Sequence, residues 1–104
     1  MTSHEPTIAE LTAKAKVLDR IVAHLDKRKD VQNIDLMILA GFCRNCLSKW
    51  YLAEANEQGL SISKDDAYKA IYGMDYQEWK ATYQAKATEE QMAAFNNISP
   101  EQTS

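Results

Sequence analysis

The stretch Asp35-Leu36-Met37-Ile38-Leu39-Ala40-Gly41-Phe42-Cys43-Arg44-Asn45-Cys46-Leu47 decides the fold. From Leu36 to Phe42 it is apolar on every side, and a helix that is hydrophobic all round is buried all round. With successive residues about 100° apart, Leu36, Leu39, Ala40, Cys43, Leu47 and Trp50 share one face, while Ile38 and Leu52 fall on the other. Read as one helix, the segment starts at Asn33 or Asp35, whose carboxylate suits the positive end of the helix dipole. It stops at Gly59, a residue fit for the left-handed position. Gly41 then lies inside the helix at a cost of about 0.5–1 kcal/mol relative to Ala, explained by close helix approach or by tolerance. One neighbouring helix cannot cover both faces, so further helices or a second subunit must.

Upstream, Thr7 caps a first helix and Glu10 completes a capping box. Ile8, Leu11, Ala15, Leu18, Val22 and Leu25 recur at alternating three and four spacings, a heptad seam of about two and a half repeats that Ile21 broadens. That is short for a coiled coil and reads as one packed helix face. Lys27-Arg28-Lys29 suit the negative end of this helix. Downstream, Ser63 with Asp66 starts a short helix over Lys64–Tyr72, which Gly73 ends. Asp75 and Glu78 start the next, where Tyr76, Trp79 and Tyr83 form an aromatic stripe of the kind that fills cores. Thr88 and Gln91 start the last, docked by Met92 and Phe95. The fold expected is all-α: a compact multihelical bundle of about five helices, two long then three short.

Length and composition agree. The chain has 104 residues, 45% hydrophobic and 26% charged, with three glycines and two prolines. Those counts exclude collagenous, low-complexity and disulfide-scaffold classes and argue against a turn-rich β-sandwich. The expected division is a flexible N-terminus over 1–6, a single helical domain over 7–97 and a flexible tail over 98–104. No apolar run is long enough for a transmembrane helix, and the start lacks the basic and apolar regions of a secretory signal. A cytoplasmic protein is expected. The net charge of −3 excludes the strongly basic footprint of a nucleic-acid binder. Residues 1–50 carry eight Lys/Arg against six Asp/Glu, a balance of +2. Residues 51–104 carry four against nine, a balance of −5. Such asymmetry favours self-association or a charged protein partner.

The most pointed chemical feature is Cys43-Arg44-Asn45-Cys46. Cys-x-x-Cys serves redox pairs, usually at a helix N-terminus where the dipole lowers a thiol pKa. Here about eight helical residues come first, so that help is missing. A structural zinc needs four ligands, and the chain offers these two thiols with His4 and His24. A dimer pooling two such pairs would supply four. Burial as small hydrophobes is the simpler reading of both cysteines. Arg44, on the more polar side of the helix, could clamp a carboxylate or snorkel to water. With Asn45 and Trp50 it forms a candidate interaction set. His24 has no motif tying it to a nucleophile. Asp65-Asp66 and Glu89-Glu90 suit helix N-termini. No phosphate loop, His-Glu-x-x-His or Gly-x-Ser-x-Gly is present.

Ala40-Gly41-Phe42-Cys43-Arg44-Asn45-Cys46-Leu47, then Trp50, Tyr72-Gly73-Met74, Tyr76, Trp79-Lys80 and Tyr83-Gln84, resembles a family of short bacterial proteins catalogued as domain of unknown function twelve-forty-four. The resemblance spans about residues 30–96. The family has Pro after Tyr-Gly-Met where this chain has Asp75, and both residues can start a helix. The resemblance implies a multihelical domain and no established activity or cofactor. The expectation is a self-associating interaction module without catalysis, a dimer first, with no cofactor. The alternatives are a zinc or thiol-redox protein using Cys43 and Cys46, and, last, a weak nucleic-acid binder through Lys14, Lys16, Arg20 and Lys27-Arg28-Lys29.

Overall fold

The chain folds as the caps direct. In the computed structural model, which describes residues 5–103, six helices run in order: α1 (Ile8–Lys27), α2 (Asn33–Ala40), α3 (Arg44–Glu57), α4 (Lys64–Tyr72), α5 (Tyr76–Tyr83) and α6 (Glu89–Asn96). A 3-10 turn at Pro100–Gln102 follows, and no strand occurs among the described residues. The expectations for residues 1–4, His4 included, and for Ser104 lie outside them. The capping boxes at Thr7/Glu10, Ser63/Asp66 and Thr88/Gln91 are all formed, and Asp75 accepts from the Glu78 N–H. Gly73 ends α4 as expected.

The expected second helix is not one helix. Gly41 takes a left-handed conformation (φ +79°) and its N–H bonds the Met37 carbonyl at 2.9 Å, closing α2. Phe42 and Cys43 cross to α3 in non-helical backbone. The reading of Gly41 as a helix-interior glycine is corrected: it ends α2, and what approaches it is the backbone of the C-terminal turn. A Cβ there would lie 1.6 Å from the Gln102 carbonyl oxygen, so the C-terminal turn rests on this bare α-carbon.

The break resets the angular frame, and residues assigned to one face separate. Leu39 is 84% exposed at the end of α2, and Trp50 is 43% exposed on α3, stacked obliquely on Phe42 at 5.5 Å. Enclosure of the segment holds over Cys43, Arg44, Leu47 and Ser48 and fails at both ends. The core is Leu47, Ile71, Tyr72 and Trp79, flanked by Leu18, Val22 and Leu25 of α1 together with Phe42, Tyr68, Tyr76 and Tyr83. Trp79, not Trp50, is the tryptophan of the core; Tyr72 meets it edge-on at 4.8 Å.

Packing follows two groupings. α3 packs on α4, α5 and α1 also pack on α4, and α2 pairs separately with α6. Met92 and Phe95 do not dock α6, for both are exposed. The half-buried Gln91 and Ala94 replace them, and Gln91 donates to Asp35 of α2 at 2.8 Å. Gln32, just before α2, donates to the Tyr83 carbonyl (3.0 Å) and accepts from the Ala85 N–H (2.8 Å), tying the start of α2 to the end of α5.

The burial difference predicts that Trp79→Ala costs about 3–5 kcal/mol, while Trp50→Ala costs no more than about 1 kcal/mol. Chemical denaturation of both variants checks this, and equal losses would contradict the placement.

Candidate functional site

Arg44 sits in the first turn of α3 and is 2% exposed. The expectation of a snorkelling or partner-clamping arginine is corrected: its side chain points inward. One terminal nitrogen donates to the Val31 carbonyl (2.8 Å) and to Asn33 Oδ1 (3.1 Å). The other donates to the carbonyls of Leu25 (3.3 Å) and Arg28 (3.0 Å). Leu25 lies in the last turn of α1 and Arg28 is its C-cap. The last carbonyls of a helix lack intrahelical donors and carry the negative end of its dipole. A guanidinium with five fixed donors suits several of them at once, by charge-assisted bonds. The guanidinium carbon lies over the Trp79 ring, 5.0 Å from its centroid, adding a cation–π contact. Burial pulls the Arg44 pKa down, opposed by nearby Tyr72, Cys43 and the α1-end carboxylates Asp26 and Asp30.

The network continues through side chains. Asn33 Nδ2 donates to the Tyr72 hydroxyl at 3.1 Å, and that hydroxyl donates to Asn45 Oδ1. The half-buried Asn45 thus has its amide oxygen engaged inside the molecule. Asn33, at the start of α2, is the member sequence reasoning missed; its only signal was its place among helix-start residues. Among the described residues no buried side-chain nitrogen or oxygen lacks a partner, as a buried polar network requires.

Cys43 is the N-cap of α3, so Cys46 lies in its first turn. The argument that eight helical residues precede the pair is overturned by the break at Gly41. The Cys43 thiol makes no capping hydrogen bond, yet the N–H groups of Cys46 and Asn45 pull its pKa down. Burial pushes it up more strongly, and the Cys46 thiol adds to that rise. Cys43 is buried and Cys46 half-buried, and they are not joined in a disulfide. The Cys46 thiol also approaches Met37 Sδ at 4.0 Å. Cys46 lines a cavity of about 480 Å³ between α3 and α4, walled by Leu52, Ala67 and Tyr68 with Lys49 and Lys64 alongside.

The other candidates stay at the surface. His24 is exposed. Lys29 bonds the Asp26 carbonyl and carboxylate at the end of α1, and Arg28 pairs with Asp30. Asp66 accepts from the N–H of Ser63, the N-cap of α4, and Glu89 and Glu90 sit in the first turn of α6. Among the described residues no three His, Cys, Asp or Glu side chains gather as a metal cluster. No helix there is long and apolar enough to cross a membrane.

A small all-α domain built around a buried arginine, with a Cys-x-x-Cys at a helix start, is thus the class of protein in hand. Residues 31–97 match the family described as "Protein of unknown function (DUF1244)", and the chain belongs to that family. The match takes in α2 to α6 and leaves α1 outside it. No curated protein matches the chain.

Two predictions follow from the network. Arg44→Met strands several carbonyls and should cost about 3 kcal/mol or more; Arg44→Lys should restore little, because an ammonium cannot span the same acceptors. Denaturant midpoints decide it, and a fully stable lysine variant would contradict the assignment. Burial pushes the Tyr72 phenol well above its ordinary pKa of 10.0. The folded state therefore holds this proton more tightly than the unfolded one. Its stabilisation is intact below about pH 10 and is lost as pH rises further. Melting temperatures should fall above that point, less steeply in Tyr72→Phe; a wild-type curve flat through this range would refute the linkage.

Proposed function

We propose that this protein is a self-associating helical module and that the free half of the α1 seam is its interface with a second copy. One observation carries the reading: α1 overshoots the core. Leu18, Val22 and Leu25 use the seam against the body of the protein. The same seam continues into Ile8, 84% exposed, and Leu11, 51% exposed, with Ile21 open at its flank.

The dimensions support it. The radius of gyration is 15.7 Å, against about 13 Å for a compact chain of this length. The accessible surface is 7838 Å², about 1,900 Å² above the norm for this mass. A standard interface covers roughly 800 Å² per partner, so one pairing fits within this excess and covers a little under half of it. A second copy is favoured because a heptad seam is complementary to itself. In a parallel pairing Lys14, at the flank of one copy, meets Asp19 five residues on in the other, an attractive pair of the kind that sets coiled-coil partners.

Sedimentation at micromolar concentration should give a dimer. Leu11→Glu should give a monomer with an unchanged helical spectrum, since Leu11 is 51% exposed. A wild-type monomer, or a dimer indifferent to Leu11→Glu, would reject the interface.

A further inference from the structure

We propose that Cys46 and Cys43 are a two-electron redox pair, in which an organic hydroperoxide entering the α3–α4 cavity oxidises Cys46 and Cys43 closes the disulfide. The placement of the two sulfurs carries this. They stand at the N-cap and in the first turn of α3, three residues apart and within interacting range. Residues at that spacing have Cβ atoms about 5–6 Å apart, so little backbone movement is needed to reach the roughly 3.5–4.5 Å of a disulfide. Access is unequal. Cys46 forms part of the cavity wall, whereas Cys43 is buried. This gives each a role: the sulfur that meets the oxidant and the sulfur that resolves it.

The cavity selects the oxidant. Leu52, Ala67 and Tyr68 present an apolar wall of a volume suited to a small organic molecule. Lys49 and Lys64 line the same cavity and bring positive charge to it. The lysines also stabilise an alkoxide as it departs. The Cys46 thiolate attacks the terminal peroxide oxygen. The O–O bond breaks, the alcohol leaves with a proton, and Cys46 becomes a sulfenic acid. The Cys43 sulfur then attacks the Cys46 sulfur. The S–O bond breaks, and the oxygen leaves as water with the Cys43 proton. Two electrons pass from the dithiol to the peroxide, and an external dithiol restores the pair. Burial holds Cys43 as the thiol, against a smaller opposing pull from the N–H groups of Cys46 and Asn45, so it keeps the proton that leaves with the water in the second step.

The test treats the reduced full-length protein with cumene hydroperoxide and reads intact mass and alkylatable thiols. The expected result is the loss of two hydrogens and of both thiols within one chain, reversed by dithiothreitol, and faster than with hydrogen peroxide. Cys43→Ser should stop at the sulfenic acid and take up one dimedone at Cys46, while Cys46→Ser should take up none. Cys43→Ala serves as a second variant if the serine disturbs the core, and the wild-type mass needs no substitution. Retention of both thiols, disulfides only between chains, dimedone uptake by Cys46→Ser, or no preference for the organic oxidant would each overturn the proposal.

Discussion

A positive charge is buried in this protein without a buried carboxylate to meet it. The Arg44 guanidinium is neutralised instead by the negative end of α1, the carbonyls of Leu25 and Arg28, with Val31 and Asn33 completing its donors. This arrangement sets constraints on everything nearby. The chain leaving α1 must curl round the guanidinium before α2 begins, and α3 must start where its first residue reaches that curl. The Trp79 ring must sit beneath the charge, which fixes the approach of α5. Desolvating an arginine costs several kcal/mol unless its donors are satisfied, so the parts hold together or fail together.

The same constraint gives Gly41 its meaning. An uninterrupted helix from Asn33 to Glu57 would start no helix at Arg44 and would leave Cys43 within a helical turn. A left-handed glycine, followed by Phe42 and Cys43 in non-helical backbone, turns the chain so that α3 begins at the arginine. The redirection places Cys43 at a helix start and Cys46 on a cavity wall, and it leaves Leu39 and Trp50 at the surface. One backbone break thus separates the sulfurs' environments and removes two large apolar residues from the core.

α1 stands apart from this. Its lower half contributes Leu18, Val22 and Leu25 to the core and its last carbonyls to Arg44, so it is integral to the fold although the family match begins after it. Among the described residues its upper half leaves Ile8 and Leu11 exposed. Structural anchoring and an outward apolar face coexist on one helix because the seam is longer than the core it meets.

The residues alone determined the helical class, the starts of α1, α4, α5 and α6, the stop at Gly73 and the core role of Trp79, because caps and aromatic spacing act within a turn or two of chain. They also marked Cys43, Arg44, Asn45 and Cys46 as the unusual patch. Tertiary structure decided the rest. Whether Gly41 continues a helix or ends it depends on about 1 kcal/mol of local preference, less than the contacts that a remote C-terminal turn and a buried arginine place on either side. Whether Arg44 faces water or the core depends on the end of α1 lying within its reach. Neither distance is written in any window of the sequence.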